Sequence, residues 1–76
     1  MYKRIKELRE DKDLLQKEIA EILNITQRNY SYLETGKTDI PTDILIKLSY
    51  FYNISIDYIL GLTDEMKPYP KAKKQL

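Results

Sequence analysis

Two adjacent side chains, Gln27 and Arg28, have the chemistry to recognise a base pair, and the residues after them decide which way they point. A glutamine amide can pair bidentately with adenine and a guanidinium with guanine, each worth about 1–3 kcal/mol of discrimination. If Tyr30 and Leu33 anchor a helix on its buried side, a rotation of about 100° per residue places Arg28, Ser31, Tyr32 and Thr35 on the outer face. Gln27 then stands at the helix tip. Other chemistries lack their residues. The chain has no cysteine and no histidine, which removes the commonest metal ligands, thiol nucleophiles and the Ser–His triad. Glu7, Glu10 and Asp11 read as a solvated helix face, and no glycine-rich loop could cradle a phosphate. No catalytic site, metal or cofactor is expected.

The elements that must position these side chains are helical. A chain of 76 residues with 42% hydrophobic and 33% charged residues suits one small soluble domain. The spacing predicts five short helices and no strand. The first runs from Tyr2 to Asp11, with Ile5 and Leu8 on one face. The second runs from Gln16 to Leu23, burying Ile19, Ala20 and Leu23, and Asn24 supplies the left-handed residue of a tight turn. The third begins at Thr26, whose hydroxyl caps the first turn while Ile25 packs on Tyr30, and Gly36 stops it after Glu34-Thr35. Thr42 caps a fourth helix with an apolar face of Ile44, Leu45, Leu48 and Phe51, ended by Asn53. Ser55 caps a fifth, stapled by Ile54 against Ile59 and closed by Gly61. Beyond Leu62 periodicity stops, so residues 1–64 are read as the domain and 65–76 as a basic tail.

From Gln16 to Thr35 the chain has the spacing of a helix-turn-helix, with small Ala20 where the two helices approach. Such a unit lets its second helix enter a major groove about 12 Å wide. Three stretches then resemble the Xre family, the helix-turn-helix of phage Cro and repressor proteins. They are Arg9 with Gln16-Lys-Glu-Ile-Ala, Tyr32-Leu-Glu-Thr-Gly-Lys, and Ile54-Ser-Ile-Asp-Tyr-Ile-Leu-Gly. The resemblance spans about residues 3–64 and implies an all-α fold, a compact five-helix lambda-repressor-like bundle that binds double-stranded DNA. It places base contacts at Gln27, Arg28 and Tyr32, and Ser31 shares their face. It also implies that Arg9 and Glu34 form a partly buried ion pair tying the first helix to the third. Phosphate contacts are expected from Gln16, Thr35 and Lys37. Two positions depart from the family pattern around them: Thr35 replaces a frequent asparagine, and Asp39 puts an acid in the following loop. A third is Leu15, where the family has Ser or Thr facing the glutamate at position 18. Leucine cannot cap, so the first N–H groups of the second helix are left to water, to Asp13 or to a DNA phosphate.

Charge qualifies the expected affinity. The net charge is +1, but residues 1–12 carry five basic and three acidic groups, residues 13–66 four and nine, and residues 67–76 four and none. The recognition region is therefore not in a basic field, and binding should be weak or salt-sensitive. The leading expectation is a transcriptional regulator, a repressor acting as a homodimer with two recognition helices about 34 Å apart. Tyr58, Ile59 and Leu62 are the candidate dimer contacts. The alternative is a protein-interaction module, antitoxin-like or with a helix-turn-helix that does not bind DNA. No small-molecule ligand domain is foreseen. With no signal peptide and the apolar stretch 44–56 interrupted by polar residues, neither export nor a membrane span is expected, and the cytoplasm is the default location. Tyr69 lies between two prolines among Lys67, Lys71, Lys73 and Lys74, so the tail is read as a basic arm toward DNA, as a strap docked through Tyr69, or as a plain tail that does neither.

Overall fold

The computed structural model describes residues 2–70, and these form five helices with no strand: α1 (Arg4–Asp11), α2 (Gln16–Leu23), α3 (Gln27–Thr35), α4 (Thr42–Tyr52) and α5 (Ile56–Ile59). All five expected helices are present. The first begins at Arg4, two residues later than its periodicity suggests, with Lys3 at the capping position in helical conformation and making no side-chain cap. Lys71, Lys73 and Lys74 lie outside the described residues, so the basic-arm reading of the tail falls there.

Local signals set most of the boundaries. Thr26 Oγ1 accepts the backbone N–H of Asn29 at 3.1 Å, and Ser55 Oγ accepts that of Tyr58 at 3.0 Å. Asn24 and Asn53 end α2 and α4 in the left-handed conformation, with φ of 59° and 55°. That region costs asparagine less than other residues bearing a Cβ. Asp13 adopts the same conformation, with φ 55°, and lets the chain after α1 fold back so that Leu14 N–H reaches the carbonyl of Arg9.

Two expectations about α4 are corrected. Pro41, not Thr42, is the capping position: its backbone is extended (φ −60°, ψ 148°) and Thr42 is already the first helical residue. Phe51 is mostly outside the core, and Tyr52 takes its place. Taken at about 100° per residue, 44, 48 and 52 step by about 40° toward Tyr52, so the buried stripe centres on Leu48 and drifts to that side, while Phe51, about 60° from Leu48 on the other side, falls at its edge.

The core joins all five helices. Ile5 and Leu8 of α1 meet Ile19, Ala20 and Leu23 of α2, Tyr30 and Leu33 of α3, Ile44, Leu48 and Tyr52 of α4, and Ile54 and Ile59 at α5. Ile5, Ile19, Leu23, Tyr30, Leu48 and Ile59 are almost wholly removed from water. Burying one such aliphatic side chain contributes about 1.5–3 kcal/mol. Ala20 of α2 is buried in this core, and α2 and α3 pack more extensively than any other pair of the described helices. Among the described residues no helix is long and apolar enough to cross a membrane.

Candidate nucleic-acid interface

Helix α3 is held from beneath by Tyr30, Leu33 and Glu34, all buried. Glu34 is the polar member, and its partners fix the helix in rotation. Arg9 Nε donates to Glu34 Oε2 at 2.7 Å, and a second guanidinium nitrogen donates to Oε1 at 3.2 Å. A third bond from the same guanidinium reaches the carbonyl of Leu14 at 2.8 Å. One side chain thus fastens α1, the α1–α2 turn and α3 together. Gln16, at the start of α2, adds a donor to Glu34 Oε1 at 3.1 Å. Burial would raise the Glu34 carboxyl, but the donors aimed at it, Arg9 first, hold it below the usual carboxylate range. The hydroxyls of Tyr30 and Tyr52 are buried and make no well-formed hydrogen bond among the described residues, although that of Tyr30 faces the Glu34 carboxylate. Desolvation pushes the Tyr52 phenol up to about 12, and desolvation together with the neighbouring Glu34 carboxylate raises that of Tyr30.

With its inner face fixed, α3 presents the expected outer face. Gln27, Arg28 and Thr35 are exposed, and Ser31 and Tyr32 are half-buried. The Tyr32 ring lies beneath the Lys37 ammonium, 4.4 Å from nitrogen to ring centroid. Its carbonyl accepts the Thr38 N–H and the Thr35 hydroxyl, each at 3.3 Å. Lys37, read as a phosphate contact, is thereby held beside Tyr32, read as a base contact. A cation–π contact of this exposed kind is worth about 0.5–1 kcal/mol.

Gln16 is placed differently from the simple expectation. One of its amide hydrogens serves Glu34, so only the rest of the amide is available to a phosphate. Leu15 makes no cap, yet its own N–H is satisfied by Glu18 Oε1 at 2.8 Å, which is the half of a capping box that a leucine permits. Asn29 escaped the sequence reading. It is exposed, one turn before Tyr32, and lines a groove with Tyr32, Thr38 and Asp39. Its i, i+3 spacing to Tyr32 was the available signal. Among the proposed dimer contacts, Ile59 is buried at the core and Tyr58 lies under the Arg4 guanidinium, 3.9 Å from its ring centroid. Leu62 alone of the three is exposed, at 73%.

A short helix, a left-handed asparagine turn and a second helix whose polar face stands clear of the body define a helix-turn-helix protein. A helix-turn-helix family model matches residues 5–59, and the chain belongs to that family, in its Xre or Cro/C1 type. It is 48% identical over 65 residues to the HTH-type transcriptional regulator ImmR of Bacillus subtilis (strain 168), a match covering 86% of this chain and 51% of ImmR. It is 37% identical over 76 residues to YobD of the same organism, named as an uncharacterized HTH-type transcriptional regulator, covering 99% of this chain and 66% of YobD. The crystal structure of a transcriptional regulator from Listeria innocua superposes with a TM-score of 0.73 at 31% identity, covering 82% of this chain and 58% of that one. The chain spans about half to two thirds of the length of these relatives.

Proposed function

We propose that this chain is a sequence-specific double-stranded DNA-binding transcriptional regulator, a repressor that acts in the cytoplasm as a homodimer. The observation that carries this reading is the exposed Gln27–Arg28 pair at the leading end of a helix whose opposite face is locked by Tyr30, Leu33 and the Glu34–Arg9 pair. Base reading falls to Gln27, Arg28, Ser31 and Tyr32, and backbone contacts to Gln16, Thr35 and Lys37. The family and its regulator-named relatives support a binding protein rather than an enzyme. A single domain reads too few base pairs to be selective, so a dimer on a two-fold related site is the economical arrangement. Exposed Leu62 is the first residue to test in its contact.

Selection from a randomised duplex pool at two salt concentrations tests the reading. An enriched sequence, with affinity falling as salt rises, supports it. No enrichment and no salt dependence would overturn it in favour of a protein partner, the antitoxin-like alternative. With a selected duplex, Arg28→Ala should relax preference at one base position by about 1–3 kcal/mol, while Lys37→Ala should weaken binding to every sequence and flatten the salt slope by about one. Equal effects of both changes on all sequences would remove Arg28 from the base readers.

A further inference from the structure

The recognition face leaves the positive charge of the first twelve residues unexplained. Both arginines there have internal partners. Arg4 donates to the carbonyls of Tyr58 and Thr63 and to Asp64 Oδ1, at 2.8, 2.6 and 2.8 Å. Arg9 is held by Glu34 and Leu14. The ammonium groups of Lys3 and Lys6 are exposed, and among the described residues the ion pairs, Arg4–Asp64 and Arg9–Glu34, involve neither. Yet both lysines line one open cleft of about 720 Å³, and Gln16 and Thr35 line it too. The cleft lies where α1 passes the start of α2 and the end of α3. A groove that receives α3 is walled on both sides by phosphate strands, so basic groups beside the ends of that helix face them.

Glu7 and Glu10 share the cleft and stand four residues after Lys3 and Lys6. Such exposed helical pairs are worth only about 0.3–0.5 kcal/mol, so they do not hold the lysines back from a stronger anion. A duplex offers that anion repeatedly, with one negative charge per ~1.7 Å of axis and counterions that are released when a lysine replaces them.

We infer that Lys3 and Lys6 are DNA-backbone contacts that carry the interface from α3 onto α1, meeting phosphates next to those met by Gln16 and Thr35. This rests on the DNA-binding reading above. The test is the slope of log affinity against log salt, measured by fluorescence anisotropy on the selected duplex. Wild type, Lys3→Gln with Lys6→Gln, Lys6→Gln alone and Lys12→Gln are compared. Lys12 is also exposed but lies outside this cleft. The double variant should flatten the slope by about two and lose roughly tenfold in affinity near 0.1 M salt. Its base preference and melting temperature should be unchanged. A slope equal to wild type overturns the inference, and so does a loss from Lys12→Gln as large as that from Lys6→Gln. Failure of the DNA-binding reading itself looks different: wild type then shows no salt-dependent duplex binding at all.

Discussion

Glu34 shows how one residue can be structural in a segment otherwise devoted to recognition. Its side chain retains 3% of its accessibility and that of Arg9 13%, so the pair is largely desolvated. Removing one partner from such a pair costs more than the pair contributes, because the other charge is left buried. Arg9→Ala should therefore cost about 2–4 kcal/mol in urea unfolding, and Glu34→Gln less, because glutamine still accepts from Gln16. The pH dependence follows from the direction of the Glu34 shift. Its folded pKa lies below the ordinary value of 4.5, so its stabilisation is present in full above that value and lost as pH falls through the folded pKa. Stability of the wild type measured from pH 6 downward should drop in that acid window, and the Glu34→Gln variant should show a smaller drop. A drop of equal size in both would place the acid sensitivity elsewhere. The pair itself was legible through the family resemblance. The Gln16 bond was not, since a glutamine at a helix start reads equally well as solvent-facing.

At the scale of elements, the caps and left-handed turns were readable because each depends on three or four neighbouring residues. Thr26, Ser55, Asn24 and Asn53 all do what their types favour. The error at Thr42 has a local cause as well: its hydroxyl suits a cap, but Pro41, with its φ fixed near −60°, already takes the extended conformation of the capping position, which leaves Thr42 inside the helix. Leu15 is the element with room for improvement. It is 65% exposed and offers no acceptor, so Leu15→Ser removes little packing and completes the box with Glu18. Chemical denaturation should show a gain of about 0.5–2 kcal/mol. If the open N–H groups of α2 bind a DNA phosphate, the same change weakens duplex binding. Unchanged affinity alongside the stability gain would sink that role.

For the whole molecule, the segment after α5 is the largest addition that the fold makes to the sequence reading. Ser55, buried at the cap of α5, takes its N–H to the carbonyl of Met66 at 3.0 Å and its hydroxyl to that of Glu65 at 3.0 Å. Tyr69 donates to Asp57 Oδ2 at 2.8 Å, and Pro68, Tyr69 and Pro70 line one cleft with Ser49, Asn53 and Ile56. These contacts favour the docked-strap reading for residues 65–70. A chain ended after Asp64 should therefore be less stable than one ended after Pro70 by about 1–2 kcal/mol, from the two hydrogen bonds lost at Ser55. Equal melting of the two would return the boundary to Asp64.

The sequence by itself determined the five helices, most of their ends and the outward face of α3, because periodicity, caps and left-handed turns act over one or two turns of chain. It also exposed the excess of positive charge near the N-terminus. Only the tertiary structure decided where that charge goes. Arg4 is matched to groups 54 to 60 residues away, Arg9 to one 25 away, and Lys3 and Lys6 are left beside Gln16 and Thr35. No local rule fixes such pairings, since they depend on the order in which packed helices bring distant surfaces together.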